Sequence, residues 1–200
     1  MIITTSMLKE HYSSYANPMD KIKRDAQSGI LFRINRGLYE TDNTVDPYCL
    51  ASSILSPSYL SFDFALSYYG LIPEKVVSIT SASLNVRKNK TYVNAFGRYE
   101  FSDIPASVFS EGLTYSENGS YVVKIATKEK AICDSLYKWR VVNSIKGLKE
   151  LLFIDKRIDE AEFAECDFDL MCRLAGLYHR TNLILLNKLI RKEYTDGQRN

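Results

Sequence analysis

The stretch FRINRGLYE, residues 32–40, crowds two arginines and an asparagine around a single glycine. The guanidinium groups of Arg33 and Arg36 suit phosphate oxygens, which arginine can hold through paired hydrogen bonds. Asn35 lies between them in sequence and brings an amide to the same place. These residue types favour binding of a phosphate-bearing partner over bond-breaking chemistry.

The same stretch has the pattern of a β-hairpin. Residues 30–34 form an apolar run interrupted by one arginine, Gly37 tolerates a positive φ, and residues 38–39 can return as the partner strand. Phe32 and Ile34 would then anchor the hairpin to a core, with the polar residues at or near its tip. Arg-Gly turns also occur on hairpins that bind nothing, so the hairpin alone does not decide the function.

A helix predicted just before the hairpin offers related chemistry. In ANPMDKIKRDAQSG, Asn17 can cap the helix, Pro18 fits its first position and Gly29 can end it. Steps of about 100° per residue place four polar residues on the face opposite the apolar stripe, namely Asn17, Lys21, Arg24 and Ser28. Such a face suits a DNA major groove, although a solvated helix face is the alternative and Asp25 on that outer face would repel a phosphate.

The order of these elements is that of a winged helix-turn-helix. A shorter helix is predicted from Ser6 to Ser14, with Thr5 or Ser6 as its cap, followed by a short turn, the second helix and the basic hairpin. Residues 17–39 carry five basic and two acidic side chains, a local charge of +3 against +2 for the whole chain. We therefore expect residues 1–45 to form a DNA-binding unit.

The remainder indicates an α+β fold. Residues 41–48 are polar and contain a proline, so we place the boundary there and expect a second domain over residues 46–200. This domain is predicted to hold helices at 48–55 and 58–69, then a small antiparallel sheet with strands at 75–83, 90–101 and 121–126. A helical part follows, with a helix capped by Thr127, three more at 145–153, 168–179 and 182–194, and a frayed tail at 196–200.

Three charged residues are notable on the helix capped by Thr127. Glu129 falls on its apolar side, whereas Lys130 and Asp134 form an i, i+4 pair on the neighbouring face. A carboxylate at the position of Glu129 is either stabilised by the helix N-terminus or held for a partner.

Composition narrows the functional class. With 46% hydrophobic and 25% charged residues the chain fits the soluble globular class, and no apolar run approaches the ~20 residues of a membrane span. The start lacks the features of a signal peptide, so we expect a cytoplasmic location and no membrane partner.

The residues that would support catalysis are sparse. The four cysteines form no C-x-x-C pair and there are only two histidines, so we predict reduced thiols, no metal and no cofactor. No P-loop, G-x-S-x-G or H-E-x-x-H occurs, and no lysine follows an acidic residue by two positions as in common nucleases. The sequence predicts that the protein is not an enzyme.

Four motifs occur in a recognisable order: NPMDKIKR, FRINRGLYE, SYLSFDFALSYYGLIPE and IATKEKAICDSLY. Together they resemble the AbiEi family of antitoxins from bacterial type IV toxin–antitoxin (abortive infection) systems, over about residues 8–139. The resemblance implies a winged helix-turn-helix that represses its own operon by binding double-stranded operator DNA. It also implies a C-terminal domain that counteracts a nucleotidyltransferase-like toxin without a stable complex.

The resemblance assigns roles by position. Groove contacts would come from Asn17, Lys21 and Arg24, wing contacts from Arg33 and Arg36, and the antitoxin motif from Glu129, Lys130 and Asp134. The chain departs from the family pattern at residues 25–26, where an apolar pair is more usual. Whether the protein binds DNA as a dimer is left open by the sequence.

Two other functions remain as alternatives. The basic hairpin could bind an acidic protein instead of DNA, which would make the chain a protein-interaction module. The chain could also be an enzyme whose residues form no recognised motif.

Overall fold

The computed structural model describes residues 1–195. The predicted fraying of residues 196–200 lies outside this range. Within it the chain is a mixed α and β protein with two sheets, in agreement with the α+β class.

The N-terminal unit consists of a three-stranded sheet and two helices. Its elements are β1 (Ile2–Thr4), α1 (Thr5–His11), α2 (Pro18–Gln27), β2 (Phe32–Asn35) and β3 (Leu38–Glu40). Both strand pairs are antiparallel and the order across the sheet is β1-β3-β2. Leu8, Ile22 and Leu31 form a small buried core between the helices and the sheet.

The first helix differs from its prediction at both ends. It begins after Thr4, whose side chain accepts a hydrogen bond from the Met7 amide at 3.3 Å, so neither Thr5 nor Ser6 is the cap. It also ends at His11 rather than Ser14. The residues before this helix form β1. This strand was not predicted because it is only three residues long.

The larger unit is built on a six-stranded sheet. Its strands are β4 (Ser58–Leu60), β5 (Ser78–Ser83), β6 (Lys90–Asn94), β7 (Gly97–Asp103), β8 (Leu113–Asn118) and β9 (Tyr121–Ala126). They lie in the order β6-β7-β5-β4-β9-β8, with β5 parallel to β7 and β4 parallel to β9. The prediction of a small antiparallel sheet is therefore wrong in both size and strand direction.

The prediction of one helix over residues 58–69 is wrong for its first part. Residues 58–60 form β4 in the middle of the sheet, and only Phe62–Tyr68 is helical, as α4. All three residues of β4 are buried. A strand covered on both faces loses the alternation that marks a strand in sequence, which explains the error.

Two further differences concern the sheet edges. Residues 90–101, predicted as one strand, fold into the β6–β7 hairpin that turns before Gly97. Strand β8 was not predicted, since its residues LTYSEN are mostly polar and lie at the opposite edge.

Helices cover the sheet and continue to the C-terminal end of the described chain. They are α3 (Ala51–Ile54) after a 3₁₀ turn at Pro47–Leu50, α5 (Lys128–Lys138), α6 (Ile145–Lys149), α7 (Glu160–Ala164), α8 (Phe168–Leu177) and α9 (Thr181–Ile190). A 3₁₀ turn spans Ala106–Val108, and π-helical stretches extend α6 over Glu150–Asp155 and α9 over Arg191–Thr195. Within residues 1–195, no helix combines the length and apolar character needed to cross a membrane.

Helix α5 occupies the centre of this layer. The Thr127 side chain caps it by accepting a hydrogen bond from the Lys130 amide at 3.3 Å, as predicted. The run from Glu129 to Leu136 is buried without interruption. Trp139 follows the helix in an extended conformation and packs, partly buried, against the core.

The hairpin of the N-terminal unit is attached to the larger sheet. Ile34 belongs to the larger hydrophobic core, and its carbonyl accepts a hydrogen bond from the Asn94 side chain at 2.9 Å. The Asn35 amide donates to the Ile54 carbonyl at 3.1 Å. Phe32 packs edge-on against Phe96 with ring centroids 6.1 Å apart. The predicted anchoring of the hairpin by Phe32 and Ile34 is thus confirmed.

Gly112 offers a test of the packing around α5. Its φ is +64°, and a Cβ added there would lie 3.0 Å from both Leu174 Cδ1 and Lys130 Cβ. Gly119 has a similar φ of +57° with no atom within 4 Å of the added Cβ, so it isolates the backbone effect. We expect Gly119→Ala to lower the free energy of unfolding by about 1–2 kcal/mol. Gly112→Ala should cost about 1–3 kcal/mol more, measured by urea unfolding, because it also overpacks the core. Equal losses would contradict the described packing.

Candidate nucleic-acid interface

Helix α2 is held in place by its own N-terminal residues. The Asn17 side-chain oxygen accepts hydrogen bonds from the amides of Met19 at 3.2 Å and Asp20 at 3.4 Å. Its amide nitrogen donates to Asp20 Oδ2 at 2.7 Å. Both ends of this side chain are therefore engaged in capping, although the residue is exposed on the predicted face.

Lys21 is also engaged within the protein. Its Nζ lies 2.6 Å from Asp25 Oδ1 and sits over the rings of Tyr12 and Tyr15, at 5.5 and 5.7 Å from their centroids. The side chain is only 23% exposed. Its positive charge is largely matched by a neighbouring carboxylate, which leaves little of it for an external partner.

The structure corrects the predicted position of Asp25. This residue is buried rather than on the outer face, and Tyr12, the residue after α1, lies beside its carboxylate. Lys21, and next Tyr12, stabilise its carboxylate, so the pKa of Asp25 lies below its ordinary value. The same contact with Asp25 is the largest cause that raises the pKa of Tyr12 to about 12. The expected repulsion between Asp25 and a phosphate is therefore offset inside the protein.

Among residues 1–195, the outer end of α2 keeps one cation without a salt bridge. Arg24 is exposed and forms no salt bridge with any of residues 1–195. Ser28, the C-cap residue, is exposed as well, and its hydroxyl donates weakly to the Asp25 carbonyl at 3.3 Å. Lys23 lies 3.8 Å from Asp20, with both side chains in solvent, so this ion pair contributes little.

The hairpin presents two more free cations. Arg33 and Arg36 are both exposed, and neither forms a salt bridge within the described chain. Arg33 Nε donates to the Asn35 carbonyl at 3.4 Å, which leaves its terminal nitrogens open to solvent. Together with Asn94 and its neighbours on β6, they line a groove of about 380 Å³.

Asn35 has a structural position between these arginines. Its side-chain oxygen accepts a hydrogen bond from the Arg36 amide at 2.7 Å, and its side-chain nitrogen donates one to the Ile54 carbonyl. A register shift in the β2–β3 pair falls between Arg33 and Asn35. Asn35 therefore shapes the hairpin, and the arginines are the groups left for a partner.

The three charged residues of α5 lie elsewhere, inside the larger unit. Lys130 and Asp134 are both completely buried and form an ion pair at 3.1 Å, so the predicted pairing exists but not on a surface. Glu129 is 8% exposed, and its Oε1 accepts a hydrogen bond from the Asp167 amide at 3.0 Å. None of the three can touch a partner without a rearrangement of the core.

Hydroxyl groups from distant segments complete the polar cluster. Asp134 accepts hydrogen bonds from Tyr59 at 2.9 Å, from Ser61 at 2.6 Å and from Tyr178. Lys130 donates to the Val108 carbonyl at 2.8 Å and to the Tyr178 hydroxyl at 2.6 Å. Sequence reasoning missed these partners, because residues 59–61 were assigned to a helix and Tyr178 lies 44 positions away.

Burial dominates the acid–base properties of this cluster. It raises the pKa values of Tyr59 and Tyr178 far above their ordinary range, and the charge of Asp134 raises them further. Burial likewise raises the pKa of the Cys133 thiol beside it. These groups keep their protons at neutral pH, so the arrangement supports hydrogen bonding rather than proton transfer or nucleophilic attack.

The four cysteines lie in or beside the larger core. Cys49, Cys133 and Cys166 are buried and Cys172 is partly buried, and all four are free cysteines. Within residues 1–195, no three His, Cys, Asp or Glu side chains come together as metal ligands would.

The buried pair can be tested by removing one charge at a time. Asp134→Asn leaves the Lys130 ammonium buried without a counter-charge, so we expect the free energy of unfolding to fall by about 3–5 kcal/mol. Lys130→Met combined with Asp134→Leu removes both charges and should recover part of this loss. Urea unfolding of the parent and the two variants measures both effects. A double variant less stable than Asp134→Asn would show that the unpaired charge is not the main cause of the stability lost in Asp134→Asn.

No protein-family model matches the chain, and no curated protein matches it.

Proposed function

We propose that the chain is a DNA-binding transcriptional autorepressor whose N-terminal unit is a winged helix-turn-helix. The observation that carries the proposal is the exposure of Arg24, Arg33 and Arg36, three cations from two successive elements without salt bridges in the described chain. The strand–helix–helix–hairpin order and the β1-β3-β2 sheet support it. In this arrangement α2 enters the groove and the hairpin contacts the adjacent backbone.

The internal contacts of α2 define how such a protein would bind. Asn17 is hydrogen-bonded to Asp20 and Lys21 is ion-paired with Asp25. Arg24 is therefore the main side chain left to contact a base edge. The arginines of the hairpin would hold phosphates, which carry affinity but no sequence information. We therefore propose an interface dominated by phosphate contacts and sensitive to salt.

We further propose that the chain is the antitoxin of a type IV system. The order of four motifs over about residues 8–139, which resembles the AbiEi family, supports this role. It would counteract a nucleotidyltransferase-like toxin without a stable complex. The burial of Glu129, Lys130 and Asp134 means that they would contribute by fixing α5 and not by touching the toxin.

A protein-interaction module is the second candidate. The engagement of Asn17 and Lys21 favours it, since fewer side chains are then left to recognise bases. An acidic protein could dock on the same exposed arginines. A gel shift with the DNA upstream of the gene, run beside a pull-down of the neighbouring gene product, separates the two.

The wing assignment predicts a specific loss. We expect Arg33→Ala with Arg36→Ala to weaken binding to the upstream DNA. It should also reduce the slope of log K against log salt by roughly two units, about 0.9 for each lost phosphate contact. Fluorescence anisotropy between about 50 and 200 mM salt measures both quantities.

A matched control removes equal charge elsewhere. Arg173 on α8 and Lys188 on α9 are exposed and free of salt bridges within residues 1–195. The Arg173→Ala, Lys188→Ala variant should retain the slope of the parent. If the wing variant bound like the parent at every salt concentration, the wing assignment would be wrong.

The antitoxin role predicts the behaviour of Glu129. Gln at this position keeps a side-chain oxygen for the Asp167 amide, so Glu129→Gln should fold and should still neutralise the toxin. Growth on co-expression with the neighbouring nucleotidyltransferase-like gene measures neutralisation, and circular dichroism measures folding. Loss of neutralisation by a folded Glu129→Gln protein would show that the carboxylate itself acts, as the enzyme alternative requires.

A further inference from the structure

A second cationic groove lies in the larger unit, at the far end of β6 from the wing. It has a volume of about 320 Å³ and is lined by four cations, Arg87, Lys88, Lys138 and Arg180. They come from the β5–β6 loop, the last turn of α5 and the residue before α9. Three separate segments thus bring positive charge to one place.

The charges in this groove are poorly compensated. None of the four cations takes part in a salt bridge within the described chain, and all are exposed. Asp103 is the one acidic residue among the lining residues, and its Oδ1 already accepts a hydrogen bond from the Val86 amide at 3.0 Å. A surplus of three positive charges remains, and their mutual repulsion would be relieved by a bound anion.

Arg180 is preorganised for such a ligand. Its guanidinium stacks on the Tyr137 ring, with Cζ 4.8 Å from the centroid, which limits the side-chain freedom that binding would otherwise restrict. It also precedes the ten-residue helix α9, whose N-terminal end adds a partial positive charge. The edges of the stacked guanidinium stay free to donate to phosphate oxygens.

The two grooves are connected by a single strand. Asn94 at one end of β6 lines the wing groove beside Arg33 and Arg36, and Asn89 just before its other end lines the second groove. At about 3.3 Å per residue, the strand from Lys90 to Asn94 spans about 13 Å, comparable with the ~12 Å width of a major groove.

We propose that this second groove contacts the phosphate backbone of the same DNA duplex that the wing holds. The proposal rests on the proposed function and extends its footprint to the larger unit. The cations line an exposed surface instead of an enclosed cavity, and this suits an extended backbone better than a small anion, which is usually held by burial. The short distance between the two grooves along β6 favours the same duplex over a separate partner.

The test uses the full chain and the duplex upstream of its gene. We expect Lys138→Ala with Arg180→Ala to weaken binding about tenfold and to reduce the salt slope by roughly two units. Arg180 provides no side-chain cap to α9, so its substitution should leave the fold intact, which circular dichroism checks. The control is again Arg173→Ala, Lys188→Ala, since Lys188 lies about 12 Å from Arg180 along the helix axis.

The outcomes separate this inference from the proposed function. A loss in the Lys138, Arg180 variant with a normal control supports the second contact. Parent-like binding by this variant, alongside a loss in the Arg33, Arg36 variant, overturns the second contact and leaves the wing in place. No binding by the parent overturns both. The last outcome has two parts: the parent binds inorganic phosphate and the Lys138→Ala, Arg180→Ala variant does not, while the variant binds DNA as the parent does. This result would identify a small-anion site and overturn the inference.

Discussion

The buried ion pair of Lys130 and Asp134 is the constraint around which the larger unit is arranged. Removing two charges from water costs several kcal/mol for each ion, and only close pairing and further hydrogen bonds offset that cost. Here hydroxyls and a carbonyl from three other segments supply those bonds. Helix α5 can therefore occupy its place only when β4, the 3₁₀ turn at Ala106–Val108 and the C-terminal end of α8 are in theirs.

This constraint extends to the surface of the molecule. Strand β4 is central in the sheet, so fixing it fixes the neighbouring strands out to β6 at the edge. The Asn94 end of β6 then holds the N-terminal hairpin through the hydrogen bond between Asn94 and the Ile34 carbonyl. The positions of the exposed arginines thus depend on polar contacts in the core, although no exposed group takes part in those contacts.

Local signals in the sequence predicted the elements that depend on local physics. Asn17 and Pro18 set the start of α2, and Thr127 sets that of α5, because a cap acts on the amides next to it. The exposure of Arg33 and Arg36 was predictable for the same reason, since it depends on a short turn. The winged helix-turn-helix assignment itself stays a prediction.

Features that depend on distant partners could not be predicted in this way. Strand β4 lacks alternation because both of its faces are covered, and the pairing of parallel strands leaves no mark within either strand. Asp25 is buried beside Tyr12, which follows the other N-terminal helix, and Lys130 is buried beside Tyr178. An i, i+4 pair has the same sequence pattern on a surface and in a core. The sequence therefore predicted the pairing of Lys130 and Asp134 but not its burial.

The contrast between Lys21 and Arg24 shows how the protein distributes its charge. Both lie on α2 three positions apart, yet one is paired with a buried carboxylate while the other is left in solvent. Pairing Lys21 with Asp25 within α2 removes one cation from the outer face. The exposed cations without a salt bridge within residues 1–195 include those at the end of α2, on the hairpin and at the second groove. A net charge of +2 is therefore compatible with a strongly basic surface, because what a polyanion meets is the local arrangement of unpaired charges and not their sum.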